Sequence, residues 1–186
     1  MKSQDPISIL EPYDPDGPRY SRRPFPPYRH VPGLTPHPVL HPQGHLFGRR
    51  EPLAVKAFDA ERWRRCQEFL YGVDLFNFCY FWEAHEAWEG LWKPTPRDEL
   101  PALFLSGLIQ VSAALLKRAM GRRAGMESLA RRGLDKLQVV EARKPACCGL
   151  NLPDWTKRIR AIVASPDLEG WAADPRIRLV FHDRTV

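Results

Sequence analysis

Hydrophobic and polar positions alternate at helical spacing through most of the chain after residue 52. Apolar residues three and four positions apart indicate amphipathic helices, with proline, glycine and capping residues between them. The predicted helices cover residues 58–71, 76–92, 101–120, 125–143 and 151–164. Asp74 is the expected N-cap of the second helix, and Gly72 the break before it. The pattern predicts an all-α protein, a compact bundle of about five helices.

The third predicted helix is apolar on nearly every side, so we expect it to be the central buried element. The apolar run from Leu100 to Leu116 is interrupted by proline and polar residues, which favours a buried helix over a membrane span. Gln110 is its one large polar side chain. A buried amide needs partners, supplied by the second helix or, equally, by backbone or water.

Residues 1–52 form a long proline-rich, irregular arm that holds 12 of the 19 prolines. Each proline fixes φ and restricts the residue before it, so no helix is expected there. The arm also carries several apolar side chains, which predicts that it packs on the helical domain. They are Tyr13, Tyr20, Phe25, Tyr28, Leu34 and Phe47. We therefore divide the chain into the arm, a helical domain at 53–165 and a C-terminal tail at 166–186, in which residues 177–181 form a short extended segment packed on the surface.

The composition is moderately basic, with a formal net charge of +6 and a pI near 9.4. Much of the excess lies between Lys117 and Arg160. A basic face there is compatible with nucleic acid, but without interleaved aromatic residues or a groove-reading motif a solvated face is favoured. The aromatic second helix leaves a homo-oligomer open. The N-terminus does not resemble a signal peptide, and no membrane partner is expected.

The four cysteines show no CxxC spacing, and we interpret them as reduced thiols of a cytoplasmic protein. Cys147 and Cys148 are adjacent. This pair is compatible with a redox or soft-metal site, but a disulfide between neighbours is strained by its geometry. The favoured interpretation is a loop with two small residues.

The candidate chemistry lies in the stretch from Phe76 to Trp92, where acids and a histidine are surrounded by aromatic residues. Burying such groups costs several kcal/mol unless partners compensate. His85 and Glu89 are one helical turn apart, the spacing at which two residues can bind one cation or each other. Glu86 follows the histidine, as in the zinc-protease pattern His-Glu-x-x-His, but the second histidine is absent. A structural pair linking two helices is the alternative interpretation.

Four of the six histidines lie in the arm, at His30, His37, His41 and His45. Neutral imidazole is a ligand for zinc, copper and iron, although hydrogen-bonding surface histidines fit this spacing equally. If the arm folds over the aromatic helix, these histidines are a natural source of additional ligands.

The run DLFNFCYFWEAHEAWEGLW from Asp74, followed by GLIQVSAALLK from Gly107, resembles the domain of unknown function 309 family. This is a small all-helical family of bacteria and archaea. The resemblance covers about residues 58–165, and the arm looks like an extension carried by one branch. It implies a family often labelled predicted metal-dependent hydrolase. The signature polar positions of the family match Asn77, Glu83, His85, Glu86, Glu89 and Gln110.

These observations predict a buried His/Glu site of a metal-dependent hydrolase. His85 and Glu89, joined by His37 or His45, would bind a divalent zinc, manganese or iron ion, and Glu86 would take a proton from bound water. Asn77, Glu83 and Gln110 would support the ligands from behind. Two alternatives stay open: a non-enzymatic interaction or scaffold domain with a structural His/Glu network, and nucleic-acid binding by the basic face.

Overall fold

The computed structural model describes residues 14–49, 56–165, 172 and 174–181. Within these ranges the chain is mostly helical, which confirms the all-α prediction. The elements in order are a 3-10 helix (Ala60–Arg65), α1 (Gln67–Asn77), α2 (Phe81–Trp92), α3 (Leu100–Ala119), α4 (Arg123–Arg143), β1 (Ala146–Cys147), β2 (Leu150–Asn151), α5 (Leu152–Ala164) and a 3-10 helix (Pro175–Ile177). The strands β1 and β2 pair antiparallel as a small hairpin.

The central helix is α3, which packs against α2 on one side and α4 on the other. Glycines let α3 and α4 approach closely: a Cβ on Gly107 would lie 2.5 Å from Leu137 Cγ. On the α2 side, Ser112 Oγ donates to the Phe81 carbonyl over 2.7 Å. By length and composition α3 is long and apolar enough to cross a membrane, with a mean hydropathy of 1.6. The core helix of a soluble protein passes the same test, and 56% of this window is buried inside the protein.

The predicted helix at 76–92 is wrong in one respect, because the segment contains the end of α1 and all of α2. The break is a Schellman turn in which Cys79 N donates to the Phe76 carbonyl and Tyr80 N to the Leu75 carbonyl. Cys79 occupies the left-handed position of this turn, with φ of 65°. Glycine is the usual residue there, so the sequence carries no signal for the break.

The predicted cap and break before this helix are also wrong. Asp74 lies in the last turns of α1 and is fully buried. Gly72 lies inside α1, where a Cβ would be 2.3 Å from Trp88 Nε1. Glycine at this position lets α2 approach α1, and the helix continues through it because tertiary packing outweighs its weak intrinsic propensity.

The C-terminal residues do not lie on the surface as predicted. Ile177, Leu179 and Phe181 are buried in the core, each at most 3% exposed. The Asn77 amide fixes this segment, since its Nδ2 donates to the Leu179 carbonyl and its Oδ1 accepts from Leu179 N. The alternating burial is that of an extended segment with one apolar face.

The described part of the arm runs along α1 and α2. The phenolic oxygens of Tyr71 and Tyr80 donate to the carbonyls of Pro24 and Pro26. Phe25 stacks on Tyr80 with ring centroids 5.0 Å apart. Tyr13, the N-terminal residues on which the signal-peptide expectation rests, residues 50–55 and most of the predicted tail lie outside the described residues.

Candidate metal site on the outer face of α2

Three side chains with metal-binding donors lie together on α2. One donor atom from each of His85, Glu86 and Glu89 lies within 4.8 Å of the other two. The His85 Nδ1 is 3.3 Å from Glu86 Oε1. Since successive helical residues are separated by about 100°, these positions share the outer face of the helix. In the described residues this is the only group of three or more His, Cys, Asp and Glu donors so arranged.

The predicted burial of this group is wrong. The side chains of His85, Glu86 and Glu89 are 27%, 36% and 29% exposed. The buried stripe of α2 consists of Ala84, Trp88 and Leu91, on the opposite side of the helix. The aromatic residues around the motif therefore fill the core, while the polar group lies half open to solvent and needs no partner inside the bundle.

The surroundings of the group contain cations and aromatic rings. Lys93 Nζ lies 3.2 Å from Glu89 Oε2. The Arg97 guanidinium covers the Trp92 ring at 3.3 Å from its centroid. Gly90, beside Glu89, faces open space: a Cβ there would have no neighbour within 4 Å. The helix surface at Gly90 is therefore open to solvent.

Glu83 differs from its neighbours on α2. It is 6% exposed, and its Oε1 accepts from His30 N of the arm over 2.9 Å. Its other oxygen, Oε2, is buried and has no hydrogen-bond partner among the described residues. Burial raises the pKa of Glu83 to about 7, against the opposing effect of the His30 N–H. Glu83 therefore anchors the arm and carries a proton over much of the neutral range.

The arm histidines lie beside the site but outside the donor group. His30 is buried and His37 is half-buried, and their rings contact the Trp82 ring at centroid distances of 5.2 and 5.6 Å. His37 Nδ1 accepts from Val39 N and Leu40 N. The His45 ring contacts Tyr28. Trp82 is three residues before His85, so the arm forms one edge of the outer face of α2.

Burial also affects the protonation of these rings. It lowers the pKa of His30, and the nearby His37 adds to this effect. Burial likewise lowers the pKa of His45, with a contribution from Arg49. Both imidazoles are therefore held toward the neutral form, the form that binds metals. The prediction that His37 or His45 supplies a further ligand stays a prediction.

Asn77 and Gln110, the other predicted supports, point elsewhere. Asn77 binds the Leu179 backbone. Gln110 faces α4, where its Cβ would lie 3.0 Å from a Cβ on Gly133. Its Oε1 is buried without a hydrogen-bond partner among the described residues. Gln110 was predicted as a support because a buried amide needs partners, and Asn77 because it matches the family pattern. The structure places Asn77 against the Leu179 backbone and Gln110 against α4, and their role as supports stays a prediction.

One buried carboxylate was assigned the wrong role by sequence reasoning. Asp74 accepts from Tyr20 N, Ser21 N and Ser21 Oγ at 2.7–2.8 Å. The Arg19 Nε lies 3.5 Å from the same carboxylate. Its donors are mostly backbone N–H groups of a distant segment, which no residue pattern identifies.

The basic surface of α4 and α5 is partly neutralised. Arg123 pairs with Glu127, and Arg158 pairs with Asp154. Arg131, Arg132, Lys157 and Arg160 are exposed. Nucleic-acid binding by this surface stays an untested alternative.

Comparison with known proteins identifies the segment that carries the site. Residues 69–129 match the family described as "Domain of unknown function (DUF309)". The match runs from α1 through α3 into α4 and includes His85, Glu86 and Glu89. No curated protein matches the chain. The family resemblance is thus confirmed over the helices that hold the candidate site, and the family description names no activity.

Proposed function

We propose, taking residues 69–129 as a domain of the DUF309 family, that His85 and Glu89 bind a divalent cation and that Glu86 acts as the base beside it, at the site of a metal-dependent hydrolase. One observation carries the proposal: the three donor atoms lie within 4.8 Å of one another on a half-exposed helix face. The alternative of a structural network is less well supported. The polar contacts that join the arm and the C-terminal segment to α1 and α2 run through Asp74, Asn77 and Glu83.

The donor set fits zinc, manganese or iron. Imidazole nitrogen and carboxylate oxygen, the donors of His85 and Glu89, are both ligands for these ions. At bond lengths of about 2.1 Å, ligand atoms on one ion lie roughly 3.0–3.4 Å apart. The half-exposed side chains can close this difference by small χ rotations, since they are not locked in a packed core.

The residues have separable roles. His85 and Glu89 would hold the cation, which when bound lowers the pKa of a coordinated water. Glu86, adjacent to His85, would accept the proton of that water. Lys93, whose Nζ lies 3.2 Å from Glu89 Oε2, places a cation beside the group, which favours a substrate with an anionic group, such as a phosphate or carboxylate ester.

The role of Glu86 can be tested directly, because it lies close enough to be a third ligand instead of a base. If Glu86 is the base, Glu86→Gln keeps the metal and loses turnover. If it is a ligand, Glu86→Gln loses both. Elemental analysis of the variant separates these roles.

The decisive experiment measures bound metal in protein purified without a histidine tag or chelator. We expect about one zinc, manganese or iron ion per chain, lost in His85→Ala and Glu89→Ala. A panel of phosphate and carboxylate esters then tests for hydrolysis by the loaded protein. Glu127→Gln is the matched control, because Glu127 is an exposed carboxylate on α4 in an ordinary helix pair with Arg123.

Two results would contradict the proposal. One is a wild-type protein that neither retains nor takes up any of the three metals. The other is a metal content that is unchanged in His85→Ala and Glu89→Ala. If the metal-loaded protein hydrolyses none of the esters, the metal site would still stand, but the proposed hydrolase activity would be contradicted.

We also propose a cytoplasmic location. Cys147 and Cys148 are neighbouring free thiols, and such pairs persist reduced where glutathione and thioredoxin act. Fractionation of the native host, with the protein in the soluble cytoplasmic fraction, is the expected result.

A further inference from the structure

Outside the matched family segment, two thiols are held side by side in the β1–β2 hairpin. Cys147 Sγ and Cys148 Sγ are 3.8 Å apart, and both residues are 2% exposed. Cys147 pairs with Leu150, so Cys148 and Gly149 form a two-residue turn. Their φ values are 49° and 72°, the left-handed combination of a type I′ turn.

The turn is unusual because its first position holds a cysteine. Asparagine, aspartate and glycine are the common residues there, and other side chains are strained in the left-handed region. The surrounding packing maintains this conformation: a Cβ on Gly149 would lie 2.5 Å from Trp63 Cζ2, and Cys148 Sγ lies 3.8 Å from the Ala60 carbonyl oxygen. The two sulfurs are therefore positioned by the fold, at a conformational cost that a simple loop would not require.

This geometry fits a metal ion bound between the two sulfurs better than it fits a disulfide bond. Neighbouring Cα atoms are about 3.8 Å apart, below the roughly 4.4–6.8 Å span of ordinary disulfides. An ion between the sulfurs needs no such closure. With metal–sulfur bonds of about 2.3 Å, sulfurs 3.8 Å apart subtend about 110° at a shared ion, so both can bind it without moving apart or closing further.

We propose that Cys147 and Cys148 form a two-thiolate site for a soft monovalent metal ion of the copper(I) class. Binding releases two thiol protons and forms two sulfur–metal bonds, which leaves a complex with one net negative charge. Lys144, whose ammonium interacts electrostatically with both thiols, can exchange its pairing with the exposed Glu61 for the charge of the complex.

The ligand count favours a monovalent ion. A divalent ion such as zinc needs four ligands in a structural site. No group of three or more His, Cys, Asp and Glu donors in the described ranges includes these sulfurs. Soft thiolates select copper(I), which two of them can hold.

The thiols lie near the protein surface, because Lys144, whose ammonium interacts with both of them, pairs with Glu61, and the Glu61 side chain is 80% exposed. Such an exposed pair is weak and opens readily.

The test titrates the reduced full chain with copper(I) under anaerobic conditions, in competition with a chromophoric copper(I) chelator. We expect one tightly bound ion per chain. Cys147→Ser and Cys148→Ser should each weaken binding by more than the roughly 100-fold that loss of an outer partner costs at a metal site. Cys66→Ser is the matched control and should leave the affinity unchanged, because Cys66 lies at the start of α1 as a single half-buried thiol.

A second measurement needs no variant and so does not depend on folding. Copper(I) should protect two of the four cysteines of the wild-type protein from alkylation, and peptide mass spectrometry should identify them as Cys147 and Cys148. Equal protection of all four thiols, protection of another pair, or copper(I) binding unaffected by both serine variants would overturn the proposal. Tighter binding of zinc than of copper(I) at these thiols would overturn the monovalent assignment.

Discussion

Two sets of acidic residues on α1 and α2 have opposite environments. Asp74 and Glu83 are buried and accept hydrogen bonds from the backbone of the arm. Glu86 and Glu89 lie on the outer face with His85 and are half exposed. The first pair performs a structural task whose partners are already present in the chain. The second group brings its donors together on a partly exposed surface, where a ligand from solution can reach them.

The largest expected effect is on the arm anchor at Asp74. Asp74→Ala leaves two backbone N–H groups and the Ser21 hydroxyl without their acceptor, and separates Arg19 from its counter-charge. Removing one partner of such a buried charged network costs about 3 kcal/mol or more of unfolding free energy. Urea denaturation measures the loss. Glu127→Ala, at an exposed position, should stay within about 0.5 kcal/mol of wild type.

An Asp74→Ala protein as stable as the Glu127→Ala control would show that the arm contributes nothing through this carboxylate. That result would also mean that the buried acids are no more important for stability than the acids on the outer face.

The second effect is a pH dependence due to Glu83. Its pKa is raised from 4.5 to about 7 in the folded protein, so the folded state binds its proton over a range where the unfolded state has lost it. The free energy of unfolding contributed by Glu83 therefore falls as pH rises from 4.5 to about 7, by up to about 3 kcal/mol. Glu83→Gln removes this dependence. Denaturation of metal-free wild type and variant between pH 4.5 and 8 measures the difference.

The comparison with Glu83→Gln is needed because His30 acts in the opposite direction. Its lowered pKa destabilises the folded state as pH falls through the ordinary value of 6.5. Both proteins retain His30, so subtraction isolates Glu83. Parallel curves for the two proteins would contradict the raised pKa.

The third effect concerns the outer group. A metal that binds only the folded protein raises its unfolding free energy by about 2.7 kcal/mol when free metal is 100 times the dissociation constant. His85→Ala and Glu89→Ala should abolish this increment, and Glu83→Gln should keep it. Thermal denaturation with and without chelator measures it. Equal increments in wild type and His85→Ala would place the metal elsewhere.

The smallest expected effect is that of His85→Ala in metal-free protein. The His85 side chain is 27% exposed, and its contact with Glu86 is within the same helix. Loss of such a contact costs less than about 1 kcal/mol. A loss of several kcal/mol would instead support the structural network, and would make the outer group resemble Asp74 and Glu83.

Sequence reasoning located the helices more reliably than their ends. The apolar period of α3, α4 and α5 gave bounds close to those observed, because each has a long one-sided or buried pattern. It failed at Cys79, where a non-glycine residue adopts the left-handed conformation that ends α1. It also took Gly72 for a break, although Gly72 is where Trp88 packs against α1. The error at Gly72 comes from a side-chain contact between helices, and the error at Cys79 from a turn without its usual glycine; local periodicity contains neither.

The candidate site shows the same division. The i, i+4 spacing of His85 and Glu89 was sufficient to place both on one helix face, since helical geometry depends on spacing alone. Whether that face is buried depends on where the neighbouring helices pack, and here the core lies on the side of Ala84 and Trp88. The predicted burial was wrong for this reason.

The sequence by itself determined the helical class, the proline-rich arm, the His/Glu spacing and the adjacency of Cys147 and Cys148. All of these follow from local spacing and from the conformational limits of single residues. Only the tertiary structure decided which acids are buried and which backbone N–H groups donate hydrogen bonds to Asp74 and Glu83. It also decided the distance between the two sulfurs. These depend on contacts between residues far apart in the chain, where desolvation and hydrogen-bond partners are set by packing.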